Sequence, residues 1–137
     1  MSPEEKRLVN AAIEARKMAY APYSNFGVGA AIEAASGRIY TGCNVESASY
    51  GATICAERSA LCAAIAAGER EFLAIAVAAR TLSFPCGICR QCLVEFSPDM
   101  NVIAADLSGA YQSFKLSQLL PCFFGSENLK TQSEVKE

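Results

Sequence analysis

Three cysteines, one glutamate and one arginine carry the chemistry this sequence can do. Cys55, Glu57 and Arg58 stand in the stretch T-I-C-A-E-R, and Cys86 and Cys89 form the C-x-x-C of P-C-G-I-C. Both stretches read as the amino-terminal turn of a helix, where unsatisfied N–H groups and the helix dipole favour negative charge and so suit thiolates. Singly, each is open to several readings. A C-x-x-C pair serves as core, as a redox couple or as part of a metal site, and an isolated buried cysteine is commonly a small apolar side chain. Together they are more specific, because three thiolates fill three corners of a tetrahedral zinc site and leave the fourth to water, the layout of catalytic zinc. Zinc brings the pKa of such a water to about 7, which matters in a chain that has no histidine to serve as a neutral-pH base. Glu57, two residues past a ligand on the same turn, is placed to move that water's proton. Three thiolates more than cancel one Zn²⁺, so a cation beside the sulfurs would help. Arg58 is the candidate for that supporting role.

Composition limits what surrounds these residues. With 137 residues, 52% of them apolar, the chain has material for one core, and residues 1–137 read as a single domain. No apolar run approaches the roughly 20 residues of a membrane span. The start M-S-P-E-E-K-R is charged where a signal peptide is apolar, so the expected compartment is the cytoplasm. Seven cysteines, an odd number, make a poor disulfide framework in a reducing compartment. A net charge of −2, a pI near 5.2 and no Lys/Arg cluster leave nothing to grip a nucleic-acid backbone or a membrane surface. A small-molecule substrate fits better.

The elements that must position the site are readable in outline. Ser2 as N-cap, Pro3, and Glu5 as capping-box partner open a helix that continues through Leu8, Val9, Ala12 and Ile13 to about Met18–Tyr20. F-G-V-G-A-A-I-E-A and R-I-Y-T-G flank the turn Ser36-Gly37 as two antiparallel strands. Residues from Cys43 to about Thr53 have no period and read as a loop. A helix is expected over 54–67, closed by Gly68, and a strand buried on both faces over Phe72–Ala79. A second helix starts near Cys86 and runs to about Phe96. N-V-I-A-A-D and Y-Q-S-F-K give two further strands, L-S-Q-L-L a short helix, and a polar tail from about 126 reads as a fraying end. The order implies an α/β fold, a three-layer α/β/α sandwich around a mixed five-stranded sheet. Cys43, Cys62, Cys92 and Cys122 are read as packing, and the alanine face Ala60, Ala63, Ala64 and Ala67 as close helix packing.

Five motifs extend the reading: Y-A-P-Y-S-N-F-G-V-G-A-A from Tyr20, G-C-N-V-E-S-A-S-Y from Gly42, C-A-E-R from Cys55, P-C-G-I-C-R-Q from Pro85 and L-L-P-C-F-F-G from Leu119. In this order, and over about Met18 to Leu129, the sequence resembles the small homotetrameric cytidine deaminases of the cytidine/deoxycytidylate deaminase superfamily. The resemblance implies zinc-dependent hydrolytic deamination of cytidine and 2′-deoxycytidine, with release of ammonia, in pyrimidine salvage. It places one Zn²⁺ per subunit on Cys55, Cys86 and Cys89, and the proton shuttle on Glu57. It implies that Asn44 and Glu46 bind the ribose hydroxyls, that Phe26 packs on the pyrimidine, and that backbone groups of Ala56 and Pro85 read its polar edge. Ala48, Tyr50 and Phe124 match positions offered to a neighbouring subunit's site, so the implied assembly is a homotetramer with shared sites. Cys-Phe-Phe at 122–124 departs from the family's small residue before that phenylalanine. A relative acting on blasticidin S shares C-A-E and P-C-x-x-C, and N-V-E with A-P-Y-S-x-F favours cytidine. A purely structural zinc module needs a fourth protein ligand with a paired spacing, which the sequence does not offer. A redox C-x-x-C gives Cys55 and Glu57 no work.

Overall fold

The structure is a computed structural model that describes residues 1–135, with side chains to residue 130; the last two residues of the polar tail lie outside the described residues. Helix α1 (Pro3–Arg16) opens as the sequence prescribes: the Ser2 hydroxyl accepts from the Glu5 N–H and the Glu5 carboxylate accepts from the Ser2 N–H, a reciprocal capping box. Strands β1 (Gly29–Ala34) and β2 (Ile39–Cys43) form an antiparallel hairpin whose turn uses Gly37 at φ +90°. Helix α2 (Ala56–Ala66) follows the loop and ends at Gly68, φ +100°, with the Glu69 N–H returning to the Ala64 carbonyl. Strand β3 (Phe72–Ala78), helix α3 (Gly87–Val94) and strand β4 (Asn101–Ala105) make a parallel crossover unit. Strand β5 (Tyr111–Lys115), the single turn α4 (Leu116–Leu119) and helix α5 (Ser126–Val135) complete the chain.

The five strands form one sheet in the order β2-β1-β3-β4-β5, mixed because β3 and β4 alone are parallel. Period-2 alternation sends successive residues to opposite faces. Ala31, Ala74, Ala76 and Ile103 meet Leu8, Val9 and Ala12 of α1 on one face. Ala30, Ile32, Ile75 and Val102 meet Ala56, Ala60, Leu61 and Ala64 of α2 and Leu93 of α3 on the other. The sandwich therefore has two cores. Covering both faces explains why β1 and β3 lack apolar/polar alternation. The edge strand β5 is exposed at all its positions and ends in Lys115, which blunts it against pairing.

Four boundaries differ from the sequence reading. Helix α1 stops at Arg16, short of Met18–Tyr20. Strand β1 starts at Gly29 rather than Phe26, because the Phe26 carbonyl and the Val28 N–H are taken by the side chain of Asn44. Ile54 belongs to a bridge with Val45, so α2 begins only after Cys55. The tail is helical from Ser126, and Gly125 donates to the Asn128 side chain at its start.

Two of the packing expectations also need correction. Cys92 packs against the core, whereas Cys62 and Cys122 are exposed. On α2, Ala60 and Ala64 are fully buried while Ala63 and Ala67 face outward, so only half of the alanine face packs within this chain.

Backbone contact between α2 and β2 is close at Gly42. A Cβ there would stand 2.8 Å from both the Ala56 carbonyl oxygen and Ser59 Cβ, and closer still to the Ala60 nitrogen. Gly42→Ala is expected to cost about 3 kcal/mol or to prevent folding. Gly51→Ala, where nothing lies within 4 Å of the added carbon, should stay within about 0.5 kcal/mol. Urea denaturation of the two variants checks both expectations.

Candidate functional site

The two cysteine motifs are the caps of two helices that start at the same end of the sheet. Cys55 is the N-cap of α2 at φ −72°, ψ 154°, and Cys86 is the N-cap of α3 at φ −66°, ψ 170°. The C-x-x-C spacing then puts Cys89 in the first turn of α3. Cys55 is held in place by the bridge of Val45 to Ile54, and Val45 is bridged in turn to Tyr20. No cap side chain bonds the backbone at Cys55 or Cys86, which leaves both sulfurs for other work.

The sulfurs of Cys55, Cys86 and Cys89 all lie within 4.8 Å of one another, and Cys55 Sγ stands 3.9 Å from Cys86 Sγ. Tetrahedral zinc with bonds of about 2.3 Å needs sulfurs about 3.8 Å apart. The Cys55–Cys86 pair meets that spacing, and every pair lies within 4.8 Å. Arg58 approaches from the side, its Nη2 at 3.9 Å from Cys55 Sγ and 3.4 Å from the Thr53 carbonyl. Among the described residues, Arg58 Nε is buried with no hydrogen-bond partner. An unpaired guanidinium N–H beside a thiolate cluster suits a donor to metal-bound sulfur.

Electrostatics distinguish the members. Hydrogen bonding from Cys89, with help from Arg58, brings the Cys55 thiol down to about 5, in spite of its partial burial. Cys89 is driven strongly upward by the same sulfur pairing and by burial. Arg58 is raised above its ordinary value, first by its bond to Cys55. Glu57 is 5% exposed, and burial chiefly, reinforced by the Cys55 charge, lifts its carboxyl to about 7. A carboxyl that exchanges its proton near neutrality is suited to general acid–base work.

A cavity of about 210 Å³ opens over this cluster, lined among others by Phe26, Asn44, Cys55, Ala56, Glu57 and Cys86. Beside it lies a shallower hollow of about 350 Å³ lined by Tyr23, Ser24, Glu46, Ser47, Tyr50 and Thr53. Thr53 borders both, so the two are neighbours. Alone, the first is smaller than the roughly 300 Å³ lower end of ligand pockets. Together they offer a deep compartment at the sulfurs and a polar one outside it.

Six of the expected site residues thus share the inner cavity, with buried Cys89 behind it, and Glu46 and Tyr50 line the hollow. Several are already engaged. Asn44 accepts from Val28 N–H at 2.9 Å and donates to the Phe26 carbonyl at 2.9 Å, keeping one amide hydrogen over. Glu46 accepts from Tyr23 N–H, Ser24 N–H and the Ser24 hydroxyl, which hold its carboxyl below the usual range. Pro85 is buried and not among the lining residues, and its carbonyl accepts from Arg90 Nε at 2.7 Å. Ala48 and Phe124 are exposed and line neither space. Sequence reasoning did not single out Thr53, Ser24 or Arg80. The Arg80 guanidinium sits 4.9 Å over the Phe26 ring and marks where that ring is pinned. Nothing in the local pattern at the end of β3 signals this role.

The description "cytidine and deoxycytidylate deaminase zinc-binding region" belongs to a family whose model matches residues 2–105. This chain belongs to that family. A cytidine deaminase from Halalkalibacterium halodurans is 45% identical over 129 residues, covering 92% of this chain and 98% of its own. A crystal structure of cytidine deaminase from Burkholderia pseudomallei superposes with a TM-score of 0.85 at 46% identity, covering 90% of this chain and all of that one. A more distant relative, the blasticidin-S deaminase of Bacillus cereus, is 28% identical over 131 residues, 88% of this chain and 92% of its own. The fold and the zinc-binding character are those of the cytidine deaminase family, and the sulfur cluster supplies a metal site of the matching donor type. No helix among the described residues is long and apolar enough to cross a membrane.

Two substitutions test the geometry. Arg58→Ala should weaken zinc retention about tenfold or more against a competing chelator; unchanged retention together with unchanged turnover removes Arg58 from the metal's support. Asn44→Asp keeps the acceptor for Val28 and loses the donor to Phe26, and should destabilise the fold by about 1–3 kcal/mol in urea unfolding.

Proposed function

We propose that the protein is a zinc-dependent cytidine deaminase that hydrolyses cytidine and 2′-deoxycytidine to uridine and 2′-deoxyuridine with release of ammonia, in pyrimidine salvage. The observation that carries the reading is the placement of Glu57: a buried carboxyl, lifted to about 7, in a cavity shared with Cys55 and Cys86. Zinc held by Cys55, Cys86 and Cys89 would supply an acidified water and polarise it for attack on C4 of the base.

The chain's own residues then have defined tasks. Glu57 takes one proton of the water and delivers it to N3, and the water's second proton passes through it to the leaving amino group, so that water and cytidine give the 4-oxo nucleoside uridine and ammonia in balance. Its burial keeps the proton from bulk water between the two transfers. Ala56, on the first turn of α2, presents backbone to the base, and Phe26 packs on the ring under the Arg80 guanidinium. Asn44 has an amide hydrogen to offer a ribose hydroxyl, and Glu46 lies at the mouth in the adjoining hollow. Pro85 would serve the base's edge through its carbonyl, which keeps one lone pair beside the bond from Arg90 Nε. The outer hollow is open, and the exposed Ala48, Tyr50 and Phe124 are surfaces that a neighbouring subunit's site would use, which supports a homotetramer.

Metal analysis with an ultraviolet assay on cytidine, 2′-deoxycytidine and blasticidin S tests the reading. One zinc per chain and turnover of both pyrimidine nucleosides are expected; no zinc and no turnover sink it, and turnover of blasticidin S alone transfers it to that substrate. Glu57→Gln is expected to keep zinc and fold and to lose turnover by about 10²–10⁴-fold.

A further inference from the structure

The C-R-Q continuation of P-C-G-I-C has no task in the chemistry above, yet both residues after Cys89 reach the same distant segment. Arg90 Nε donates to the Pro85 carbonyl at 2.7 Å while Nη1 donates to the Leu119 carbonyl at 2.8 Å. Gln91 Nε2 donates to the Phe124 carbonyl at 2.8 Å. Leu119 ends α4, and residues 120–125 that follow it belong to no helix or strand. The carbonyls of Leu119, at the edge of this stretch, and of Phe124, within it, are taken by consecutive residues of α3, the helix that carries Cys89 and has Cys86 as its N-cap. The Arg90 fork is planar and rigid, and it ties the Pro85–Cys86 turn to this segment through one group.

The segment splits its two aromatic rings. Phe123 is partly buried against the core of α2 and α3, and Phe124 is 59% exposed and lines neither of the two spaces at the site. Cys122 at φ 55° makes the bend from which they diverge. The Phe123 ring anchors the segment inside, and the Gln91 bond fixes the backbone of Phe124 outside.

We propose that Arg90 and Gln91 are positioning residues that lock the Leu119–Phe124 segment to the turn carrying Cys86 and so set the placement of the Phe124 ring for substrate binding in a neighbouring subunit. This rests on the cytidine deaminase reading and on the shared-site arrangement proposed with it. Gln91 acts through Phe124 and touches no reacting atom, so its loss should affect substrate binding and spare the chemical step. Gln91 is exposed, and its replacement leaves the core untouched.

The test is a double-mutant cycle on cytidine turnover, with zinc content and melting temperature read for every variant. Gln91→Ala should raise KM about three- to tenfold, the loss expected of one positioning hydrogen bond, with kcat within about twofold and zinc content unchanged. Added to Phe124→Ala, it should raise KM no further, because its effect passes through the ring already removed. Arg90→Lys, which keeps the charge and gives up the two-carbonyl fork, should shift KM in the same direction. Additive KM effects in the double variant, or a fall in kcat at unchanged KM, overturn the inference alone. No cytidine turnover by the unsubstituted protein overturns the activity reading and this inference with it.

Discussion

Everything in the site depends on holding three sulfurs at zinc spacing where two helices begin. Sulfurs that close would repel as thiolates, and the structure answers the repulsion from several sides. The amino ends of α2 and α3 converge on them, Arg58 lies against Cys55, and the sulfurs hydrogen-bond to each other. Burial at the same place chiefly raises Glu57, and the Cys55 charge beside it adds to the rise. The candidate metal site and the raised carboxyl of Glu57 are therefore two features of one arrangement.

Around the sulfurs the backbone is irregular, and arginines do much of the work that a ladder would do elsewhere. Arg16 donates to the Gly27 carbonyl, Arg80 to Asn25, Arg58 to Thr53, and Arg90 to Pro85 and Leu119. Asn44 and Glu46 collect further backbone groups from the segment 23–28. Loops can thus approach the cavity without orphaning their polar groups. Glu46 and Asn44 hold the loops and border the two spaces at once.

Much of this was legible from residue order. The capping box at Ser2 and Glu5, the Gly37 turn and the Gly68 terminator are local signals with local causes, and each appears where its chemistry requires. The strand over 72–78 was readable because a run buried on both faces has no polar member to interrupt it. Sulfur clustering followed from two spacings, C-A-E and C-x-x-C, that fix their positions relative to helix starts. The delayed start of β1 was not readable, since it is caused by Asn44, sixteen residues away. Arg80 over Phe26 and the reach of Arg90 and Gln91 to residues 119 and 124 are likewise long-range contacts, which no local period encodes. Exposure of Cys62 was missed for a different reason: at seven residues past Cys55 its helical phase was compatible with burial, and only the boundary of the core decides it.

Along β2 and the alanines of β1, the helix that bears Glu57 comes close to the sheet. Ala30 and the other small side chains of β1 face Ala56, Ala60 and Ala64, and at Gly42 the helix meets bare backbone. Long side chains at such a seam could change rotamer and absorb a displacement, whereas alanine and glycine have no rotamers to change. The seam behaves as a rigid joint rather than a cushioned one. A shift of α2 along the strands finds few rotamers at Gly42, Ala30, Ala56 and Ala60 to absorb it, so the tolerance of the sulfur and carboxylate positions is set in part along this seam, well away from the chemistry itself.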